Sequence, residues 1–375
     1  MKKIVFLTGT RADYGKLKAL MQSVEESPDF ELQVFVTGMH MLSKYGSTYG
    51  EVVKDGFSNI YQFVNTRDAQ SADLTLSSTI TGFSNYVEEF KPDLIIVHGD
   101  RVEALAGAIV GALNNIRVAH IEGGEISGTI DESIRHAITK FAHYHLVSNK
   151  QAARYVTQLG EREKSIFIIG SPDIDVMRTE QLPSLEEAKK RYEISFDNYA
   201  ILLFHPVTTE VEQLPMQISE VKDAILESGK NFIVIYPNND LGCELIFKAY
   251  EQLTGIDRIK LFPSLRFEYF LTLLRNAEFV IGNSSAGIRE AGIYGTPTID
   301  IGTRQLSRYT KEEAPHVIHV ETVEKDIVMA INQVSNVRFE PRLLFGEGES
   351  AKKFMSVIND QEFWNYPIQK QFIPR

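Results

Sequence analysis

The sequence predicts an α/β protein built from two doubly wound parallel sheets, and three observations carry that expectation. A chain of 375 residues exceeds the size at which a single hydrophobic core keeps growing. From the first residues onward, short apolar or β-branched runs alternate with helical patterns, the rhythm of βαβ units with helices on both faces of a sheet. That rhythm stops over the polar, charged stretch 182–198 and then resumes, which argues for a second sheet rather than a longer first one.

The elements of the first half follow in order. Ile4-Val5-Phe6-Leu7 is an apolar run closed by Thr8-Gly9. The charges Arg11, Asp13 and Lys16 come at once after it, so the segment reads as a first strand rather than the apolar core of a leader peptide. A helix is expected from about Tyr14, a strand over 33–37, a helix near 76–90, a strand over 94–97 and a helix from Val102. Strands at 118–121, 145–148 and 166–169 complete the set. The second half offers strands at 200–204, 232–236, 259–262, 279–281 and 298–301, each followed by a helical or loop stretch. Two such sheets facing one another would form a cleft lined by the carboxyl ends of their strands, where open α/β folds bind ligands. No fixed-period repeat or low-complexity segment interrupts the pattern.

Composition narrows the function. With 43% hydrophobic and 24% charged residues the chain is ordinary for a globular protein, and its one cysteine, Cys243, cannot form an internal disulfide, so a reducing cytoplasm fits. The longest weakly polar stretch, 104–113, falls short of the ~20 residues that span a bilayer. A net charge of −11 without any lysine- or arginine-rich block gives no electrostatic footprint for nucleic acid. A phosphate would therefore be held by local devices, such as helix N-termini and a few placed arginines.

Two near-motifs are set aside. The segment from Gly9 to Gly15-Lys16-Leu17 resembles a phosphate loop, but it has one residue too many between its glycines and a leucine where a Ser or Thr should bind magnesium. No Gly-x-Gly-x-x-Gly follows a strand, so a dinucleotide cofactor and redox chemistry lack support. What recurs instead is a polar group just after an apolar strand: Arg11 and Asp13, His98 and Asp100, Glu122, His205, and Asn283-Ser284-Ser285. Any one of these alone is accounted for by helix capping or a satisfied buried polar group. Capping, however, does not ask for carboxylates, a histidine and arginines aimed at one gap. Asp131 or Glu132 could merely favour the N-terminus of the helix that follows them, whereas Glu122 beside Gly123-Gly124 suggests backbone drawn close to a ligand. Asn283 through Glu290 reads as a small-residue turn opening a helix, able to hold phosphate oxygens, with Glu290 on its early turns. His143 and His145 lie two apart without Cys or acidic ligands at metal spacing, and a structural role is favoured over zinc.

Taken together, these residues resemble the UDP-N-acetylglucosamine 2-epimerase family, and within it the hydrolysing branch of bacterial capsular sialic acid pathways. The motifs are Thr10-Arg11-Ala12-Asp13-Tyr14-Gly15-Lys16-Leu17, His98-Gly99-Asp100-Arg101, His120-Ile121-Glu122-Gly123-Gly124-Glu125, Ser133-Ile134-Arg135-His136, His205-Pro206-Val207-Thr208, Pro237-Asn238-Asn239-Asp240, Gly282 through Glu290, and Gly302-Thr303-Arg304-Gln305. The resemblance implies a GT-B-type fold, with an N-terminal Rossmann-like domain over 1–172, a UDP-binding domain over 173–357, and a C-terminal helix, 358–375, crossing back to the first. It implies catalytic roles for Asp100, Glu122, Asp131 and His205, and UDP contacts from Arg11, Arg101, Asn238, Ser284, Ser285, Glu290 and Arg304. It implies a UDP-sugar as ligand, no cofactor or metal, and a homodimer or homotetramer. Which carboxylate takes the first proton stays open, as does the choice between UDP-N-acetylglucosamine and a UDP-linked diacetamido sugar. Non-hydrolysing relatives share the fold, the carboxylates and the histidine, and usually carry a Glu-Ala-Gly run followed by Pro-Glu-Glu, which this chain does not.

Overall fold

The computed structural model describes residues 1–67, 70–127, 129–178, 182–335 and 337–374. The chain divides into two compact units, the first comprising Met1–Glu125, Ile130–Thr179 and Phe345–Arg375, the second Ile126–Thr129 and Glu180–Leu344. The first unit thus runs on to Thr179 rather than 172, and the chain returns to it at Phe345, ahead of the expected 358. Among the described residues, no helix is long and apolar enough to cross a membrane.

The first unit is a seven-stranded parallel sheet of β1 (Lys2–Thr8), β2 (Phe30–Val36), β3 (Ile60–Gln62), β4 (Leu94–His98), β5 (Arg117–Ile121), β6 (Tyr144–Val147) and β7 (Ile166–Ile168), in the order β3-β2-β1-β4-β5-β6-β7. Register places Ile4 of β1 between Leu32 of β2 and Leu94 of β4. Successive side chains of a strand point to opposite faces, and the two cores follow that alternation. Ile4, Phe6, Leu32, Val34, Leu94 and Ile96 enter one core, while Val5, Leu7, Phe35, Ile95 and Val97 enter the other. Continuous apolar runs at the centre of the sheet are the consequence of covering both faces.

The second unit is a six-stranded parallel sheet of β8 (Ala200–Leu203), β9 (Phe232–Ile235), β10 (Ile259–Phe262), β11 (Val280–Gly282), β12 (Thr298–Ile301) and β13 (Val317–Val320), in the order β10-β9-β8-β11-β12-β13. Each sheet reverses its strand order once, between β1 and β4 in the first and between β8 and β11 in the second. The crevice outside the carboxyl ends of the strands at such a reversal is where ligands bind in these folds. In the first unit the residues just beyond it are Gly9-Thr10-Arg11 and Gly99-Asp100-Arg101; in the second they are Phe204-His205 and Asn283-Ser284-Ser285.

The chain end differs from expectation. The segment 358–375 is not one helix: helices span Ser350–Ile358 and Gln361–Asn365, and an irregular tail runs on from Tyr366, with Arg375 outside the described residues. Asp360 caps the second short helix by accepting from the Glu362 amide at 2.9 Å, and Pro367 then disfavours helical backbone at the residue before it. The longer of the two helices starts at Ser350, earlier than expected, because the carboxylate of Asp175 accepts from the Ser350 and Ala351 amides at 2.9 and 2.8 Å. Phe354, Ile358 and Phe363 enter the first unit's core, and the Phe363 ring stacks on Tyr144 at 3.8 Å between centroids.

Candidate functional site

In the first unit, the acids expected at strand ends are gathered by a residue not placed among the candidates. Arg135 is buried in the helix Ile130–Phe141. One terminal nitrogen donates to the carbonyl of Glu122 at 2.6 Å, the other to the carboxylate of Asp100, and Glu125 Oε2 lies 4.0 Å from the first. A buried guanidinium among carboxylates offsets charge that would otherwise be costly to bury. Asp131 stands in the first turn of the same helix, four residues before Arg135 and so on the same face. Asp100, Glu122 and Arg135 are thus joined directly, and Asp131 shares the helix that joins them.

Glu122 sits just past β5 with φ at +61°, a left-handed conformation unusual for any residue but glycine. Its side chain is buried; Oε2 lies 3.1 Å from His98 Nε2, and Oε1 accepts from the Ser171 hydroxyl. The neighbouring Gly124 also has positive φ, at +76°. The expectation that these glycines bring backbone to a ligand needs correction at Gly124, because a Cβ there would stand 2.3 Å from the carbonyl of Ala152. That glycine lets the turn rest on the helix Lys150–Gln158.

His120 supports the adjacent turn. Its ring contacts the Gly99 carbonyl at 2.8 Å through Nε2 and Thr139 Oγ1 at 3.1 Å through Nδ1. Burial pushes its pKa down to about 3, so the ring is neutral and Nε2–H donates to the residue preceding Asp100. Asp13, in contrast, is a structural acid: it accepts from the Thr8 hydroxyl at 2.6 Å and from the Gly9 and Thr10 amides at 3.0 Å each, completing a capping box with Thr10. Arg11 pairs with Glu51 at 2.6 Å and Arg101 with Glu103 at 3.3 Å, so each guanidinium already faces a carboxylate of its own unit.

In the second unit, His205 and Asn283 face each other across the strand reversal. The His205 amide donates to Asn283 Oδ1 at 2.7 Å, and Asn283 Nδ2 donates back to the His205 carbonyl at 2.9 Å. The Asn238 amide donates to His205 Nδ1 at 3.1 Å, which leaves Nε2 as the ring's other polar atom. Arg304 and Gln305 reach the Asn283 carbonyl at 3.3 and 2.8 Å. His205, Asn238 and Arg304 are therefore brought together around Asn283.

The small-residue turn expected after Asn283, and the helix that follows it, are both short. Ser285–Gly287 forms a single 3-10 turn, and a five-residue helix, Glu290–Tyr294, follows. The Gly287 carbonyl is taken by Thr298 Oγ1 at 2.7 Å and His316 Nε2 at 3.0 Å, which removes it as an acceptor for the helical ladder. Ser284 and Ser285 remain half-buried at the turn, Ser284 Oγ accepting from the Ala286 amide at 3.4 Å. Glu290 is buried in the first turn of the short helix, where it was expected.

His143 and His145 are engaged inside the fold. His143 accepts from the Val118 amide at 3.1 Å and its Nε2 meets the Ile368 carbonyl at 2.9 Å, while His145 Nε2 meets Glu161 at 3.1 Å. Among the described residues, no group of three or more His, Cys, Asp or Glu side chains is placed to hold a metal ion. Ser171, which follows β7, escaped the strand-end rule although it obeys it; Asn283, which the rule did name, joins His205 and Arg304 rather than standing among the individual site residues.

Comparison with known proteins yields three kinds of match. A family model described as UDP-N-acetylglucosamine 2-epimerase matches residues 22–359. The chain is 49% identical, over 100% of its length and 99% of the relative's, to a UDP-N-acetylglucosamine 2-epimerase of Neisseria meningitidis serogroup B. It is 32% identical, over 96% of each, to a UDP-N,N'-diacetylbacillosamine 2-epimerase (hydrolyzing) of Legionella pneumophila. Among solved structures, it matches the UDP-GlcNAc 2-epimerase of Methanocaldococcus jannaschii in complex with UDP-GlcNAc and UDP, with a TM-score of 0.80 at 21% identity, covering 96% of this chain and 99% of that one; the likeness is one of fold.

Proposed function

The chain belongs to the UDP-N-acetylglucosamine 2-epimerase family, and from that premise we propose that it is the hydrolysing enzyme, converting UDP-N-acetylglucosamine and water to N-acetylmannosamine and UDP. The observation that carries this reading is the 49% identity to the Neisseria epimerase along the whole chain. The hydrolysing character draws on the 32% identical relative named as such and on the runs from His120 to Glu125 and from Ser133 to His136.

The reaction has two halves. A base removes the proton from the carbon bearing the acetamido group while the bond from the anomeric carbon to the UDP oxygen breaks, leaving a glycal and UDP. Water then adds: hydroxyl to the anomeric carbon, a proton to the neighbouring carbon from the opposite face. No electron is gained or lost overall, so positioned acids and bases suffice. Asp100, Glu122 and Asp131 are the proposed catalytic carboxylates. His205 is the proposed partner of the departing diphosphate, which needs positive charge or a proton as it leaves. Arg11 is proposed for the diphosphate, with the planar fork that suits phosphate oxygens, and Ser284 and Ser285 for the phosphates as well. Glu290 is proposed for the ribose, and Arg101 beside Asp100, Asn238 and Arg304 as further contacts to UDP. The reading expects a cytoplasmic homo-oligomer at the entry to sialic acid synthesis.

Proton NMR of the purified protein with UDP-N-acetylglucosamine in deuterated water tests this. Free N-acetylmannosamine deuterated at the epimerised carbon, with UDP, is the expected product; UDP-N-acetylmannosamine would replace the hydrolysing reading by the non-hydrolysing one. A second reading, a UDP-linked diacetamido sugar as substrate, is favoured by the name of the Legionella relative, and turnover of that sugar alone would establish it.

A further inference from the structure

We propose that Ser171 is a positioning residue for Glu122, holding the carboxylate in its reactive orientation. The inference rests on the proposed function and names a residue that no motif of the chain had singled out.

Ser171 occupies the N-cap position of the helix Pro172–Met177. A serine there ordinarily accepts from an amide of the first turn. In this helix the side chain makes no such capping bond; the hydroxyl donates to Oε1 of Glu122. The usual stabilising use of the residue is forgone in favour of a contact 49 residues away in sequence, which is the pattern expected when a side chain serves a site.

The serine is itself tightly located. It is fully buried, and its amide donates to the Phe345 carbonyl at 2.6 Å. The two stretches of chain that meet here cross at glycines: Gly170 has φ at +87° and Gly346 at +134°, and a Cβ on Gly346 would stand 2.9 Å from the Gly170 Cα. The helix that Ser171 opens is tied down on two further sides. Asp173 pairs with Lys16 at 3.1 Å, and Asp175 caps the helix Ser350–Ile358. The hydroxyl therefore has a rigid base.

Glu122 needs such a support. Its backbone is in the left-handed region, where local conformation does not by itself hold a long side chain, and a carboxylate free to rotate loses the alignment that proton transfer requires. Ser171 fixes one oxygen, and His98 Nε2 faces the other at 3.1 Å.

The experiment compares Ser171→Ala with the wild-type enzyme in UDP-N-acetylglucosamine turnover, measuring kcat, KM and the pH profile, with UDP affinity and thermal melting as controls of folding. The substitution removes a single oxygen atom and nothing else. The expected result is a fall in kcat of roughly tenfold to a hundredfold with KM and UDP affinity changed by less than about threefold. The acidic limb of kcat/KM should also move to higher pH, because a carboxylate that loses a donor holds its proton more tightly. Ser171→Cys, with a weaker donor, should fall between the two in both kcat and limb position, and it serves in place of the alanine variant if that variant folds poorly. A kcat within twofold of wild type, or a loss of kcat with the limb unmoved, overturns the role of Ser171 while leaving the proposed function standing. A wild-type enzyme without turnover of any UDP-sugar overturns both.

Discussion

At the scale of single residues, the fold keeps several histidines neutral well below the pH at which a free imidazole takes a proton. Burial lowers the pKa of His40 to about 4 and of His120 to about 3; burial, reinforced by the nearby Lys370 ammonium, brings His143 to about 4. In the unfolded chain each would take a proton near pH 6.5. Between that pH and the folded values the unfolded state binds more protons, so stability is lost as pH falls below about 6.5, by about 1.4 kcal/mol per pH unit for each of the three. Urea melts at pH 7, 6 and 5 should show the midpoint dropping steeply across that range, and a midpoint flat down to pH 5 would contradict the assignment. Held neutral by burial, His120 still donates its Nε2–H to the Gly99 carbonyl and so holds the turn before Asp100.

At the scale of elements, the helix Ile130–Phe141 carries both Asp131 and Arg135 and is held at its far end by a lysine from the chain terminus. Lys370 Nζ donates to the carbonyls of Thr139, Lys140 and Ala142 at 3.0, 2.9 and 2.5 Å and pairs with Glu161 at 2.7 Å. A cation at a helix C-terminus satisfies carbonyls that have no partner within the helix and opposes its dipole. Lys370→Met should cost about 1–3 kcal/mol, since Glu161 would keep Lys140 and His145 while the carbonyls lose their donor. Chemical denaturation of the two proteins reads this directly, and an unchanged midpoint would reduce Lys370 to a surface contact. Much of the element pattern was legible in the chain: every central strand announces itself as an apolar run because both of its faces are covered. β3 escaped because it is a three-residue edge strand with two exposed side chains. β13 escaped because it is only four residues long, His319 interrupts its apolar run, and Pro315 two residues before it reads as a turn. How short the turn and helix after Asn283 are lay beyond reach, because Thr298 and His316, which capture the Gly287 carbonyl, are distant in sequence. For the candidate site, polar residues after strands marked the turns that carry Asp100, Glu122, His205 and Asn283, yet Arg135, which joins two of them, sits mid-helix on a buried face, a position where no strand-end rule looks.

At the scale of the whole molecule, one of the first unit's two cores is assembled from both ends of the chain. Ile4, Phe6 and Leu17 share it with Phe354, Ile358 and Phe363, whereas the second unit draws its core from residues within 200–334. A chain ending at Leu344 should therefore keep a protease-resistant fragment from the second unit while the first is degraded, as limited proteolysis with mass spectrometry would reveal; equal resistance of both would show that the terminal segment is dispensable. The arrangement has a consequence for the protein's birth. On a ribosome adding about 5–20 residues per second, the part translated first is the part finished last, waiting through the synthesis of the whole second unit without the apolar cover of Phe354, Ile358 and Phe363. During that interval the nascent chain is an obvious client for chaperones that shield exposed strands, and a translational stall late in the message would strand it in its most aggregation-prone form.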